Sequence, residues 1–323
     1  MPAQGPTPET LAFHLREGSI DNYFYRRGPV AAHVVVTSGE TPRVIVAFPA
    51  GDEGFGLWPE PGTNATIDVT APIATAVGQG DMRGITVQLT VSRPLVVREV
   101  ALAGLRSLRD YATTGHIAND LAASVDAGPP ITLRRTQADG AHHLRMQLAG
   151  GAVLDGAAIH LVPGTPITLT VLADDPPLTP IETGELLDVV PPGHERELHA
   201  LAFLAYREKL LAGSWRFLTY FGRDTLLTLR LLAPHAKPAL VEAGLGAVID
   251  RLDPTGDVAH EEDVGDFAAW ENARDHRAID GPRLDYKMID DDLLLAPDLV
   301  SYLDSPAGRD RAAAFLARRT PRG

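Results

Sequence analysis

Residues 214–232 read SWRFLTYFGRDTLLTLRLL, and the helical part of the sequence is organised around this stretch. An aromatic segment ends at Phe221, and Gly222 permits a tight turn. Five leucines follow between residues 226 and 232, which is typical of a helix that buries one broad face. The side chain of Asp224 or Thr225 can cap the start of that helix. The stretch therefore predicts a turn followed directly by a buried helix.

Arg223 and Asp224 form a charged pair at the start of this apolar helix. Charges near a protein core are tolerated when they are paired or hydrogen-bonded. Such a pair serves either to hold the structure together or to bind a polar ligand, and the spacing alone leaves both interpretations open.

The length and composition exclude several classes of protein. A chain of 323 residues with 45% hydrophobic and 22% charged residues is typical of a globular protein with two domains. The net charge of −13 argues against a nucleic-acid partner, and the 26 arginines are dispersed. No cysteine is present, which excludes disulfides and cysteine nucleophiles. Since neither a signal peptide nor an apolar run of membrane-spanning length is visible, we expect a cytoplasmic protein with no membrane partner.

The first half of the sequence has the pattern of β-structure. Short runs rich in Val, Ile, Leu and Thr recur about every ten residues and are separated by Gly, Pro, Asp and Asn. This spacing predicts an N-terminal antiparallel β-sandwich over residues 1–185. The predicted strands cover 30–37, 43–48, 66–70, 84–91, 95–102, 131–135, 142–148, 157–162 and 167–172.

A proline-rich segment separates this half from a helical one. Residues 173–193 contain five prolines, which predicts a linker and a second domain over residues 186–323. Residues 257–283 show neither a helical nor a strand period, which predicts a long loop. Helices joined in hairpins, with such a loop at one rim, indicate part of an α/α barrel. The predicted helices cover 195–212, 224–232, 238–252, 290–303 and 306–318.

Acidic residues are concentrated downstream of the central stretch. Twelve acidic and four basic residues lie between positions 257 and 292, so this segment carries −8 of the net charge. Crowded carboxylates raise one another's pKa, which suits general acids, although a solvated acidic loop has the same composition. The residues His260 to Asp263 with Asp266 offer metal ligands, but their spacing matches no zinc or calcium motif, and we expect no metal. Paired carboxylates, as used in glycoside cleavage, are the chemistry that this segment supplies best.

Two motifs resemble a known family of enzymes. Phe221-Gly222-Arg223-Asp224-Thr225 resembles the Gly-Arg-Asp-Thr motif of the α-1,6-glucosidase part of glycogen debranching enzymes and related six-hairpin glycosidases. The segment 285–294, DYKMIDDDLL, is similar to a later motif in which a Tyr is followed four residues on by an Asp that opens an apolar helix. The resemblance is strongest over residues 195–303. It implies a β-sandwich followed by the first helices of an incomplete (α/α)6 barrel.

The resemblance also implies roles for individual residues. Arg223 and Asp224 would hold hydroxyl groups of a terminal glucose. Asp290 falls on the position of the general acid, and the adjacent Asp291 is a second candidate because three aspartates stand in a row. The remaining candidates are Glu261 and Glu262 as acids, and Trp215, Tyr220, Trp270 and Tyr286 as substrate contacts. Trp215 and Tyr220 equally fit core positions.

The implied function is that of a glycoside hydrolase without a cofactor, which acts on terminal α-glucosyl groups of an oligo- or polysaccharide. A complete barrel of this family has twelve helices and a second catalytic carboxylate further along, whereas only about five helices precede Gly323. We therefore expect a C-terminally truncated fragment, and the enzyme assignment stays open. The alternative is a non-catalytic carbohydrate-binding or scaffold protein that keeps the sandwich and half a barrel. The sequence leaves the substrate, the stereochemistry and self-association open.

Overall fold

The fold is mixed β and α in a computed structural model that describes residues 8–115, 121 and 123–317. The strands are β1 (Thr10–Glu17), β2 (Ile20–Arg27), β3 (Val30–Thr37), β4 (Arg43–Ala47), β5 (Glu53–Pro59), β6 (Ile67–Val69), β7 (Ala74–Val77), β8 (Arg83–Val91), β9 (Leu95–Gly104), β10 (Ser124–Asp126), β11 (Ile131–Thr136), β12 (His143–Gly150), β13 (Ala152–Asp155), β14 (Ala158–Leu161), β15 (Ile167–Ala173), β16 (Glu261–Asp263) and β17 (Arg283–Asp285). The helices are α1 (Leu105–Thr114), α2 (Glu195–Leu204), α3 (Gly222–Leu232), α4 (Pro238–Ile249), α5 (Gly265–Arg274), α6 (Asp290–Asp304) and α7 (Pro306–Leu316).

Two large antiparallel sheets contain most of the strands. The first has eight strands in the order β1-β2-β3-β4-β5-β9-β14-β13. The second has the order β10-β11-β12-β15-β8-β6, and β7 also pairs with β8. In β8, Ile85, Val87 and Leu89 are buried while the residues between them are more exposed, as alternation along a half-buried strand requires. One buried apolar cluster contains residues of both sheets. The predicted antiparallel β-structure is confirmed, because each of the nine predicted spans overlaps an observed strand, although β1, β5, β7, β10 and β13 are not among those spans.

The chain divides into two compact units. The first unit consists of the described residues of Met1–Pro177 together with Val264–Gly281, and the second of Leu178–Asp263 and the described residues of Pro282–Gly323. The first unit therefore contains both large sheets, α1 and α5. The second contains the other five helices and the short hairpin of β16 and β17. The predicted boundary between residues 185 and 186 stays a prediction.

The segment 257–283 contains regular structure where a loop was predicted. It includes β16 and the ten-residue helix α5. The buried positions of α5 are Asp266, Ala268, Ala269 and Asn272, so two of the four are polar. Because a helical period is recognised by apolar residues on one face, a helix that buries polar groups escapes detection.

The predicted helix over 195–212 is too long by eight residues. The structure ends α2 at Leu204, after which Ala205 takes an extended conformation and forms a bridge with Leu210. Tyr206, Leu210 and Leu211 are buried, which explains why their spacing imitated a helix face. The intervening turn brings Lys209 into the interior of the second unit.

The carboxylate of Asp266 is a fully buried hub of the first unit. Arg135 donates two hydrogen bonds to it, of 2.7 and 2.9 Å. The backbone N–H groups of Gly104 and Ala138 donate two more, at 3.1 and 2.8 Å. A buried charge with four donors is compensated, and this network fixes the start of α5 against the ends of β9 and β11.

Replacing Asp266 with Ala should lower the free energy of unfolding by about 3–5 kcal/mol, because it leaves the buried guanidinium of Arg135 unpaired. The matched control is Asp126→Ala, since Asp126 is exposed and lies 3.9 Å from Arg134. The control should change stability by about 0.5 kcal/mol or less. Urea denaturation followed by circular dichroism measures both variants. Equal stability of the two would show that the Asp266 network does not hold the fold.

A second buried acidic group of this unit is Glu53, the first residue of β5. Burial raises the pKa of Glu53 well above its ordinary value of 4.5, and the adjacent carboxyl group of Asp175 raises it further. Two adjacent buried carboxyl groups cannot both be ionised at low cost. Gln137 donates a hydrogen bond of 2.9 Å to Asp175, which suits the ionised form of that residue. Glu53 therefore holds the proton of the pair.

A neutral Gln at position 53 should make stability less dependent on pH. The folded protein binds the Glu53 proton more tightly than the unfolded chain does, so the free energy of unfolding falls as pH rises above 4.5. In Glu53→Gln this loss disappears, and the variant should gain about 1.4 kcal/mol per pH unit relative to the wild type within that window. Denaturant titrations over a pH series measure the difference. The control Glu60→Gln, at an exposed position, should give a flat difference, and a flat difference for Glu53→Gln would contradict the assignment.

Candidate functional site

The starts of helices α3 and α6 lie together in the second unit and form the candidate site. Helix α3 begins at Gly222, whose N–H donates a 2.9 Å hydrogen bond to the carbonyl oxygen of His260. A Cβ added to Gly222 would collide with the carbonyl oxygen of Ala259, so only glycine allows this approach. Phe221, the residue before the helix, forms a β-bridge with Glu261. The central sequence stretch is thereby joined to the β16–β17 hairpin.

The cap of α3 differs from the predicted one. The helix begins two residues earlier than predicted, and its N-cap is Phe221, which makes no side-chain hydrogen bond to the helix. Asp224 lies within the first turn, where a negative charge interacts favourably with the helix dipole.

A partly exposed charge cluster occupies the rim of this site. A guanidinium nitrogen of Arg223 donates a 3.2 Å hydrogen bond to Oδ2 of Asp290, and another lies 3.7 Å from Oδ2 of Asp224. The side chains of Arg223, Asp290 and Asp224 are 38%, 43% and 41% exposed, respectively. The hydrogen bond from Arg223 lowers the pKa of Asp290 below its ordinary value. The other oxygen of Asp290, Oδ1, is buried and has no hydrogen-bond partner among the described residues.

The two following aspartates are turned into the protein. Asp291 is completely buried, and its Oδ2 lies 3.1 Å from Nδ1 of His260. Burial raises the pKa of Asp291, and the interaction with His260 offsets part of this rise. Oδ1 of Asp292 accepts a 2.7 Å hydrogen bond from the N–H of Val258. Of the three aspartates in a row, Asp290 therefore has its side chain most clearly at the rim.

Glu262 is held between two cations in the interior. Lys209 donates a 2.7 Å hydrogen bond to Oε2, and Arg251 donates one of 2.9 Å to Oε1. Thr219 donates to the backbone carbonyl of Glu262 at 2.7 Å. Burial by itself raises the pKa of Glu262, but the charges of Lys209 and Arg251 outweigh it and the pKa lies below its ordinary value. A carboxylate with this environment is suited to holding structure and poorly suited to donating a proton.

The adjacent Glu261 has a different environment. It is half-buried, and because side chains alternate along a strand, it points to the opposite face of β16 from Glu262. Its bridge to Phe221 places its backbone directly beside the start of α3. Glu261 thus remains a candidate for the rim, in contrast to Glu262.

The predicted aromatic contacts are mainly core residues. Tyr220 is completely buried under the guanidinium of Arg251, which lies 4.6 Å from the ring centre, and Trp215 is also buried. Their rings therefore occupy core positions rather than forming the predicted surface for sugar stacking. Tyr286 is half-buried, and its hydroxyl donates a 3.0 Å hydrogen bond to the carbonyl oxygen of Arg251. Trp270 belongs to the first unit, where it lies on α5.

Lys209, Arg251 and the pairing of His260 with Asp291 were not predicted from the sequence. One signal was available for Lys209, because only 3 of the 29 basic residues are lysines and this one stands within an apolar segment. Arg251 carries no such signal, since it follows a helix in an arginine-rich chain. Among the described residues, no three His, Asp or Glu side chains come together in a way that would hold a metal ion.

Comparisons with known proteins assign no family to this chain. A scan against models of protein families found no match, and a search of curated proteins found none either. Within the described residues, no helix combines the length and the apolar character needed to cross a membrane.

Glu262→Gln should destabilise the protein by about 3–5 kcal/mol, because it leaves the buried charges of Lys209 and Arg251 without their carboxylate. The control Glu197→Gln removes an exposed carboxylate of α2 and should change stability by about 0.5 kcal/mol or less. Thermal and urea denaturation measure both variants. A folded Glu262→Gln protein of unchanged stability would make Glu262 a candidate functional acid again.

Proposed function

We propose that this chain is a glycoside hydrolase that binds the terminal glucosyl unit of an α-glucoside at Arg223, Asp224 and Asp290. The single observation that supports it best is the rim cluster, in which a guanidinium lies between two partly exposed carboxylates. Sugar hydroxyl groups both donate and accept hydrogen bonds, so this alternation of acceptors and donors suits them. Oδ1 of Asp290 has the capacity to accept such a hydrogen bond.

Asp290 is the proposed general acid, and its environment sets a condition for that role. An acid must hold a proton before it donates one to the leaving oxygen. The hydrogen bond from Arg223 favours the ionised form, so the bound sugar has to displace this contact and take the guanidinium for its own hydroxyls. Asp291, with its raised pKa and contact to His260, would act as a positioning residue beneath the site.

The finer fold assignments are part of the same proposal. The two large sheets would form a β-sandwich, which the shared apolar cluster supports. Helices α2, α3, α4, α6 and α7 would belong to an incomplete (α/α)6 barrel, which the adjacent packing of α3 with both α4 and α6 supports. The substrate would be an oligo- or polysaccharide.

The second candidate function is carbohydrate binding without hydrolysis. Two observations favour it: Arg223 holds Asp290 in its ionised form, and the acid with the raised pKa, Asp291, is completely buried. A site of this kind binds hydroxyl groups but lacks an accessible proton donor.

Variants of the rim separate these candidates. Asp290→Asn should lower kcat on isomaltose by about 100- to 10,000-fold, because it removes the general acid that protonates the leaving sugar oxygen. Arg223→Ala should weaken maltose or isomaltose binding by about tenfold or more, since it removes charge-assisted hydrogen bonds. Released glucose and isothermal titration calorimetry give the two readouts. Asp304→Asn, at the exposed far end of α6, is the matched control and should change neither.

Each outcome has a distinct meaning. Hydrolysis by the wild type that Asp290→Asn abolishes supports the enzyme. Binding without product, lost in Arg223→Ala, supports the carbohydrate-binding protein. The proposal would be contradicted if the wild type neither bound the sugar nor released product. Full activity of Asp290→Asn would also contradict it.

A further inference from the structure

A large polar cleft in the first unit has no role in the site described above. It has a volume of about 990 Å³, which lies within the range of pockets that hold small molecules. Three arginines and two histidines line it, against two aspartates. In a chain with a net charge of −13, a cleft richer in basic than in acidic groups stands out. We name it the β11–β12 cleft, since Arg134, Arg145 and His143 lie on those strands.

Two of the arginines face each other directly across the sheet. Arg134 on β11 and Arg145 on β12 are register partners, and residues in such positions have their Cβ atoms about 4.5–5.5 Å apart. Like charges at directly opposed positions are destabilising unless an opposite charge compensates them. An anion bound between the two guanidinium groups would supply that compensation.

The described protein groups compensate this pair only in part. The carboxylate nearest to Arg134 in a salt bridge is Asp126, at 3.9 Å and with both side chains about half exposed or more. Nε of Arg145 is buried and has no hydrogen-bond partner among the described residues. A buried guanidinium N–H normally has an acceptor, so this group is available for a ligand. Arg135 differs, because Asp266 occupies its guanidinium.

Two histidines add further groups to the cleft. Nδ1 of His143 lies 2.8 Å from Asp174, and Nδ1 of His142 lies 2.5 Å from Asp139. Each carboxylate engages one ring nitrogen and orients the imidazole, which leaves Nε2 for another partner. Burial by itself lowers the pKa of His142, but Asp139 and Asp175 outweigh it and the pKa is raised, which favours the positively charged ring.

Trp270 on α5 gives the cleft an aromatic wall. Its indole is half-buried, and it is a large apolar surface among charged groups. Sugar rings pack their C–H faces on such surfaces while their substituents reach polar side chains. The cleft therefore combines a surface for a ring with cations for an oxyanion.

We propose that the β11–β12 cleft binds a sugar ring that carries an oxyanion, with the phosphate or carboxylate between Arg134 and Arg145 and the ring against Trp270. Arginine suits both groups, because its planar fork matches the oxygens of a phosphate or a carboxylate. This inference does not depend on the function proposed for the α3–α6 site.

Calorimetric titration with three related sugars tests the proposal. Glucose 6-phosphate and glucuronate carry the two oxyanions, and glucose is the neutral control. At least one of the anionic sugars should bind the wild type, and Arg145→Met should raise its Kd about tenfold or more, because the loss of charge-assisted hydrogen bonds has this effect. Arg134→Met should do the same. Arg93→Met, at an exposed position away from the cleft, is the matched control.

The comparison of wild type and Arg145→Met isolates the cleft from sugar binding at the α3–α6 site. Glucose should give the same isotherm with both proteins, whereas the anionic sugar should not. Circular dichroism confirms folding, and Arg134→Met carries the test if Arg145→Met does not fold, because Arg134 is exposed. Which anionic sugar binds identifies the oxyanion. Failure of both to bind, or equal binding by the wild type and a folded arginine variant, would overturn the proposal.

Discussion

The ion triad of Glu262, Lys209 and Arg251 is the interaction on which the helical unit depends most. Lys209 lies in the turn after α2, Arg251 follows α4 and Glu262 lies on β16, so the triad joins residues that are up to 53 positions apart in the sequence. Burial of each ion removes most of its hydration, which costs free energy. The ion pairs offset this cost only when all partners are present with good geometry. Glu262 thereby anchors β16, whose backbone bonds to Tyr220 and Phe221 directly before the start of α3.

Helix α6 of the same unit has acidic side chains on its buried face and aliphatic side chains exposed to solvent, which is the opposite of the usual distribution. Asp291 and Asp298 of this helix are buried, with His260 and Arg230 as partners, while Leu293 and Val300 are exposed. An exposed leucine by itself is ordinary, but a helix that buries acids and exposes aliphatic residues is not explained by a hydrophobic core alone. The polar contacts of Asp291 and Asp298, together with the buried ring of Tyr302, therefore hold the inner face of α6.

Elements that bury apolar side chains could be predicted from the sequence, whereas elements that bury polar ones could not. Strand β8 largely obeys alternation, whereas β3 is a continuous buried apolar run, and the predicted and observed spans of both strands agree closely. Helix α5 escaped prediction because its buried face includes Asp266 and Asn272. Helix α2 was extended too far because buried residues in a turn happened to repeat its period. Periodicity detects burial of apolar groups, and it fails where charged partners from distant segments create the burial.

The candidate site illustrates the same limit at the level of single residues. The short motif at 221–225 identified Arg223 and Asp224, and the three aspartates at 290–292 were visible as a group. The sequence could not distinguish those three aspartates, since their roles depend on partners 30 or more residues away: Arg223 for Asp290, His260 for Asp291 and Val258 for Asp292. A one-residue step along the start of a helix turns a side chain by about 100 degrees, so neighbours in sequence meet different surroundings. The partners of each carboxylate, rather than its residue type, therefore determine which one stays at the rim and which ones support it.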